Sequence, residues 1–480
     1  HAGRSHLGRT GRGTGRHLMD FEFTVPVLVV GGGACGCVAA LAARDAGAEV
    51  LLIEADARPL GSTGMTLGLV CAAGSKAQAA AGIADSAEDF FEDIMAKSRG
   101  LANPVVARAL AEQSGPAVDW LAEAHDFPLE LDTGFRPAYG NRTYRMHGWP
   151  GHGGEDMIGL LHRRLGEAGV DVLLQAELAE VVADENGRVL GVVIERPGGV
   201  TERVGCDTLI LACGGFAANR EMLARYIPEM AAARNNGHEG SQGIGVKVGE
   251  ALGAAFGDMG SYQGYAMLTD PQGISVSPQV LVEGGILVNS SGRRFTDETE
   301  DIAGMVHPVM AQDGGTVWTI YDARIESATA YTPDMKALND LNAAKRAESP
   351  EALAALIGVP ADALAASLAD AYTARNRGAA DSTGRVWGEE LPPHGSLRAL
   401  KVVGAIYHTQ GGLEIDGQAR VLRPDGTALP NLFAGGGAAR SVSGPSSWGY
   451  LPAMGLCTAV TLGRVAGMTA AEQALHPTDR

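Results

Sequence analysis

The residues best spaced for chemistry in this chain are Gly31, Gly33, Gly36 and Glu54. A GxGxxG turn at the start of a helix sets bare backbone amides, and the positive end of the helix, against an anion such as a pyrophosphate. An acid some twenty residues further on is placed to accept hydrogen bonds from ribose hydroxyls. Gly31 permits the tight turn, Gly33 opens the backbone to the phosphates, and Gly36 lets the helix lie close to the sheet. The context is complete: an apolar run, Val27 to Val30, precedes the turn, a small-residue segment of helical spacing follows, and a second apolar run from Val50 to Ile53 is closed by Glu54. Strand, turn, helix, strand and acid is the order a dinucleotide fold needs. An adenine dinucleotide is expected here.

Three further stretches carry groups able to meet a ligand. GSTGMTLG (61–68) is too poor in large apolar residues for a core helix and reads as a close-approach loop over the cofactor. In DTLILACGGF an apolar strand breaks at Cys213, Gly214 and Gly215 and turns into a helix, a second glycine turn at the carboxyl end of a strand, where open sheets bind ligands. The irregular segment 141–154 carries Tyr144, His147, Trp149 and His152; histidines in such loops are usually solvated, so neither is expected to act directly.

The elements that must position these groups are legible in outline. A helix is expected over 155–170, with strands near 170–174, 179–183 and 189–195. Composition shifts near Gly237, and from there to Pro393 short strands, VNSSGRRFTDE (288–298) and two helices with N-caps at Ser349 and Pro360 suggest an inserted domain. A run from Val402 to Asp416, then a strand, a glycine-rich loop and a long small-residue helix return the chain to its first body. The expected divisions are an extension over 1–20, disordered or expression-derived and not a targeting segment, then 21–237, 238–393 and 394–480. The fold class is α/β.

Composition narrows the partners. The chain has 480 residues and a net charge of −18, and its first nineteen residues hold four arginines and no acid, so the remainder is more acidic still. That argues against nucleic acid or an anionic membrane. No apolar run reaches the roughly 18 residues of a membrane span, and no insertion is expected. Six cysteines, without a CxxC pair or a CxxCH haem signature, suit a reducing cytoplasm. No metal site is expected, and the oligomeric state is not encoded legibly.

Taken together, GGGACG with Glu54, GSTGMTLG, ILACGGF, VNSSGRRFTDE, YHTQGG and NLFAGGGAA with TLGRVAG resemble, in order, the flavoprotein family that includes soluble fumarate reductases and 3-ketosteroid 1-dehydrogenases. The resemblance implies FAD, a bipartite Rossmann-like FAD-binding domain of the glutathione-reductase type, and an inserted α+β capping domain that places substrate against the flavin. By position, Gly31, Gly33, Ala34, Gly36, Glu54 and Ala55 would hold the ADP half, with Leu178 also on the cofactor. Ser62, Thr63, Gly64 and Met65 would lie on the pyrophosphate and ribityl side, and Cys213, Gly214 and Gly215 near the adenine. Gly436, Gly437, Leu451 and Pro452 would face the flavin, where a helix N-terminus stabilises negative charge near the C2 carbonyl. Gly437 stands where fumarate reductases place a glutamate. Family members with covalent FAD use a histidine near GSTGMTLG; none lies between His17 and His125, so the FAD is expected to be noncovalent. With one complete fingerprint, electrons are expected to pass to or from a separate acceptor or donor.

The same resemblance bears on the reaction. Fumarate reductases bind two carboxylates with histidines and arginines. Ungapped counting puts Tyr450 at their C-terminal arginine and Tyr265 at their first histidine. TEDIAG lacks the next arginine, and Glu326 falls on another, with Arg324 close by; His408 and Glu298 remain. Phenols in place of guanidinium groups suit a neutral carbonyl, as in the ketosteroid dehydrogenases. The expected reaction is α,β-desaturation of a cyclic ketone, with Tyr450 polarising the carbonyl and Tyr265 or His408, or less directly Tyr144, as base. The alternatives are reduction of an activated C=C bond in an enone or enoate, and a non-catalytic flavin-holding electron-transfer subunit.

Overall fold

The computed structural model describes residues 21–476; the expected extension falls outside them. Among the described residues the two large sheets, of eight and six strands, flank a cavity, and a two-stranded and a three-stranded sheet accompany them. In the first sheet β1 (Phe23–Val30) lies between β2 (Val50–Glu54) and β6 (Val200–Leu211), parallel to both, with Val27 opposite Val50 and Thr208. Both faces of β1 are covered, which is why Val27 to Val30 read as an unbroken apolar run and not as an alternation. β3 (Asp171–Leu174) extends the sheet beyond β2. On the other side β12 (Ala428–Ala434) and β11 (Arg420–Leu422) follow β6. β4 (Glu177–Ala183) and β5 (Val189–Arg196) form an antiparallel hairpin joined to β6. The helix expected over 155–170 is α2 (Gly154–Glu167).

First and last parts of the chain meet in one body through α1 (Ala34–Asp45) and α6 (Met454–Leu475). Both are built of small residues because their backbones touch: a Cβ added at Gly463 would sit 2.6 Å from the Cys35 carbonyl oxygen, and one at Gly467 would sit 2.1 Å from that of Ala39. By length and composition α6 could cross a membrane, but 78% of its apolar window is buried inside the protein, as in a core helix.

The second sheet is organised on β10 (Leu397–Thr409). It pairs antiparallel with β9 (Thr316–Asp322) along its first half and with β7 (Tyr262–Thr269) along its second; β8 (Ile286–Val288) lies beyond β9. The short strands Arg234–Asn235 and Lys345–Ala347 also pair with β10. The expected division at 393/394 put this strand with the returning first body; its backbone pairs with β9 and β7. The expected helices appear as α4 (Pro350–Ile357) and α5 (Ala361–Arg377), capped as read at Ser349 and Pro360, and they pack with Trp387 against this sheet. A further helix, α3 (Pro333–Asp340), opens with Thr332 as its N-cap.

The buried ion pairs of the second body are structural. Glu298 is held by Arg294 and Arg385, and Asp381 by Arg294, and none of the four lines the cavity. This accounts for the RRFTDE acid without chemistry.

Candidate functional site

A cavity of about 560 Å³ runs between the two bodies from the first glycine turn to the start of α6. At one end the N-terminus of α1 faces it. Its N-cap is Gly33, which has no side chain to claim the first amides; only the Ala34 N–H is taken, by Thr63 Oγ1 at 2.9 Å, which ties the GSTGMTLG loop to the helix start. Gly31 has φ +109°, and a Cβ there would lie 2.4 Å from the Ala212 carbonyl oxygen, so the turn excludes every other residue. The Glu54 carboxylate reaches across, accepting from the Gly32 N–H at 2.5 Å and the Asp56 N–H at 2.8 Å. Asp56 is in turn met by His238 Nε2 at 2.8 Å, a contact from the loop after the second glycine turn.

Most of the expected cofactor residues line this one cavity: Gly31, Gly33, Ala34, Glu54, Ala55, Ser62, Thr63, Met65, Leu178, Cys213, Gly214, Gly215, Gly436, Gly437 and Pro452. Gly36, Gly64 and Leu451 do not. A Cβ on Gly36 would fall 1.8 Å from the Gly31 carbonyl oxygen, so this glycine serves the packing of helix on turn; Gly64 lies against Leu60, and Leu451 is buried in the core. Gly437 has no room for the glutamate of fumarate reductases, since its Cβ would lie 2.9 Å from the Gly215 amide nitrogen.

FAD fits this arrangement by its donors and by its shape. The uncapped α1 terminus suits a pyrophosphate and Glu54 a ribose. The glycines leave a side-chain-free floor, and Ser441 Oγ lines it with no partner among the described residues although Ser441 is only 4% exposed. Cys35 and Cys213 also line it, their thiols pushed up to about 12 and about 11, chiefly by burial, and so inert near neutrality.

At the other end the wall is made by Tyr450, His408, Tyr407, Tyr265, Gln263, Ser275, Ser277 and Asp334. Tyr450 is 3% exposed, its ring edge-on to His408 with centroids 5.8 Å apart. Its oxygen accepts the Gly455 N–H at 3.4 Å, at the start of α6, and burial keeps the phenol protonated. The hydroxyl proton has no acceptor among the described residues and is free for a ligand.

His408 is not a base. Burial holds its pKa down at about 4, so the ring is neutral; Gln410 Nε2 lies 2.8 Å from its Nδ1, and Ser443 Oγ lies 3.1 Å from Gln410 Oε1. With Gln410 as the donor to Nδ1 the ring proton is on Nε2, which faces the start of α6, 3.0 Å from where a Gly455 Cβ would be. Tyr265 is also excluded as the base: its hydroxyl donates to the Val276 carbonyl, and burial raises its pKa well above the ordinary value. Tyr144 is off the wall, in a loop whose carbonyl accepts from Gln78. His147 is not solvated but buried, bound to Ser75 Oγ at 2.7 Å, while His152 stacks on Trp149. Neither lines the cavity.

Tyr407 and Asp334 were missed from the sequence. Tyr407 sits in the YHTQGG motif beside His408 and could have been taken with it. Asp334 reads as an ordinary helix-start acid in Thr-Pro-Asp. Among the described residues no arginine or lysine lines the cavity. Arg324 donates to the Glu283 and Leu391 carbonyls.

A family model described as FAD binding domain matches residues 26–449. A probable fumarate reductase of Shewanella frigidimarina, Ifc3, is 30% identical over 459 residues, 94% of this chain and 76% of its own length. Among solved structures, the open conformation of a flavocytochrome c3 fumarate reductase is similar with a TM-score of 0.79 and 29% identity, over 95% of this chain and 79% of that one. The 3-ketosteroid-Δ4-(5α)-dehydrogenase of Rhodococcus jostii, in complex with 4-androstene-3,17-dione, gives 0.73 and 25%, over 95% and 99%. The chain belongs to this FAD-binding family and is an FAD-dependent oxidoreductase related to the fumarate reductases and ketosteroid dehydrogenases.

Proposed function

We propose that the protein desaturates an uncharged cyclic ketone between its α- and β-carbons. One observation carries the reading: the wall opposite the glycine turns offers two neutral donors, the Tyr450 hydroxyl and His408 Nε2–H, and no arginine or lysine among the described residues. A dicarboxylate there would forgo its charge-assisted hydrogen bonds, each about twice as strong as a neutral one, and would meet Asp334 besides. A ketone oxygen needs only the donors. FAD, when bound, accepts the hydride that leaves the β-carbon. The chain's part is to hold the carbonyl and to take up negative charge on its oxygen as the α-proton departs. Tyr450 does this with a proton made more available by the α6 amides bonded to its oxygen, and the low-dielectric wall strengthens the contact.

The reverse reaction, reduction of a C=C bond conjugated to a carbonyl, uses the same donors, and the fumarate reductases among the relatives favour that direction. In either case a separate electron carrier completes the cycle. The test is anaerobic. Saturated cyclic ketones should bleach the bound flavin, and the reduced protein should be reoxidised by cyclic enones faster than by fumarate. No bleaching by any ketone refutes desaturation, and faster reoxidation by fumarate refutes the neutral-carbonyl site.

A further inference from the structure

We propose that Asp334 is the proton acceptor of this site, taking the α-proton directly on its carboxylate. The inference rests on the neutral-carbonyl reading above and completes it, since of the three residues that the sequence offered as bases Tyr265 and His408 are engaged through their hydrogen bonds and Tyr144 does not line the cavity.

Several observations meet on Asp334. It lines the same cavity as Tyr407, His408 and Tyr450, at the first turn of α3. Its charge acts on both Tyr265 and Tyr407, whose rings are 5.0 Å apart, so the carboxylate is in the neighbourhood of this tyrosine pair. Among the described residues no hydrogen bond or ion pair claims it, whereas the acids nearer the glycine turn are engaged: Glu54 with two amides and Asp56 with His238. A carboxylate with all its acceptor capacity open, facing a ligand cavity, has no structural partner to explain its orientation. Ser277 Oγ, in the same wall and 1% exposed, is equally without a partner.

The proton affinity suits the task. Burial alone pushes Asp334 up to about 6, near enough to neutrality to accept a proton as the carboxylate and release it afterwards. The ionisable groups facing it do not blur that titration. The Tyr265 and Tyr407 phenols are raised far above neutrality, His408 remains neutral, and Lys336 on its own helix is turned to solvent and paired with Asp340 at 2.8 Å.

In the forward step the α C–H bond breaks and its proton goes to an Asp334 oxygen. That electron pair forms the Cα=Cβ bond, and the β C–H pair leaves as hydride. The ketone is oxidised by two electrons and FAD is reduced by two. In reverse, protonated Asp334 returns its proton to the α-carbon.

The experiment compares the FAD-loaded wild type with D334N and D334E, using cyclohexanone as the first probe and larger cyclic ketones after it. Two quantities are read: anaerobic flavin bleaching, and wash-in of deuterium at the α-carbon in D2O by proton NMR. Wild type should show either activity rising with pH through about 6 and level above it. D334N should lose at least about a hundredfold and the pH break with it, while FAD content and the ketone-induced shift of the flavin spectrum stay as in wild type; D334E should recover most of the rate. The inference is overturned if D334N keeps the wild-type rate within about threefold in either readout, or if no break near pH 6 exists. Exchange without bleaching would sink desaturation and leave Asp334 as the acceptor. Bleaching indifferent to Asp334 would sink the acceptor and leave desaturation standing. A wild type silent in both readouts overturns both.

Discussion

Replacing Tyr450 by phenylalanine isolates one oxygen atom. The ring stays, with its edge-on contact to His408 at 5.8 Å and its place in the core, so packing is nearly unchanged. What goes is the free O–H and a weak acceptor 3.4 Å from the Gly455 N–H. Losing that acceptor costs at most about 1 kcal/mol of stability, because the amide is at a helix start and the bond is long. Losing a donor aimed at a developing oxyanion costs about 3–4 kcal/mol of transition-state stabilisation, a rate loss of roughly a hundred- to a thousandfold. His408 Nε2–H remains as second donor, which places the expectation at the lower end. The assay is anaerobic stopped-flow bleaching across a range of ketone concentrations. The limiting rate should fall while half-saturation moves little, since the contact tightens as charge develops. A limiting rate within about threefold of wild type, with full FAD content, would show that the phenol only packs the loop.

Glu54→Gln keeps the shape but removes the charge that accepts from Gly32 and Asp56, and should weaken FAD binding by roughly tenfold or more, read from the rise of flavin fluorescence on dilution. Gly36→Ala puts a Cβ 1.8 Å from the Gly31 carbonyl oxygen, so about 1–3 kcal/mol of stability and most of the bound FAD should be lost although Gly36 is off the cavity wall. Folding raises the Asp334 pKa from 3.8 to about 6, so the native state binds the extra proton and the protein is destabilised as pH rises through that window. Asp334→Asn should therefore be more stable than wild type at pH 7, by up to about 3 kcal/mol, and no more stable below pH 4; denaturant melts at the two pH values check the sign.

The cofactor half of the site was legible because its chemistry is local. Gly31, Gly33 and Glu54 act through a turn and two strands that lie within thirty residues of one another, and a fixed spacing announces them. The substrate half was only partly legible. Tyr450 could be placed by resemblance, but the roles of His408 and Tyr265 turn on single hydrogen bonds, from Gln410 and to Val276, that no spacing encodes. Asp334 reaches the wall only because it and Tyr407, more than seventy residues apart, are brought to the same cavity. The same holds for the expected boundary. An apolar strand such as Leu397–Thr409 reads identically whichever sheet accepts it, and its pairing with Thr316–Asp322 is a long-range fact.

β10 ends where it is pinned. Thr409 Oγ1 accepts the Phe216 N–H at 3.1 Å, which ties the strand end to the second glycine turn, and the Gln410 N–H donates to the Ser261 carbonyl at 2.8 Å, which ties it to the start of β7. His408 precedes Thr409 on that strand, so the backbone that presents its ring to the cavity is the one bonded to the second glycine turn at the cofactor end.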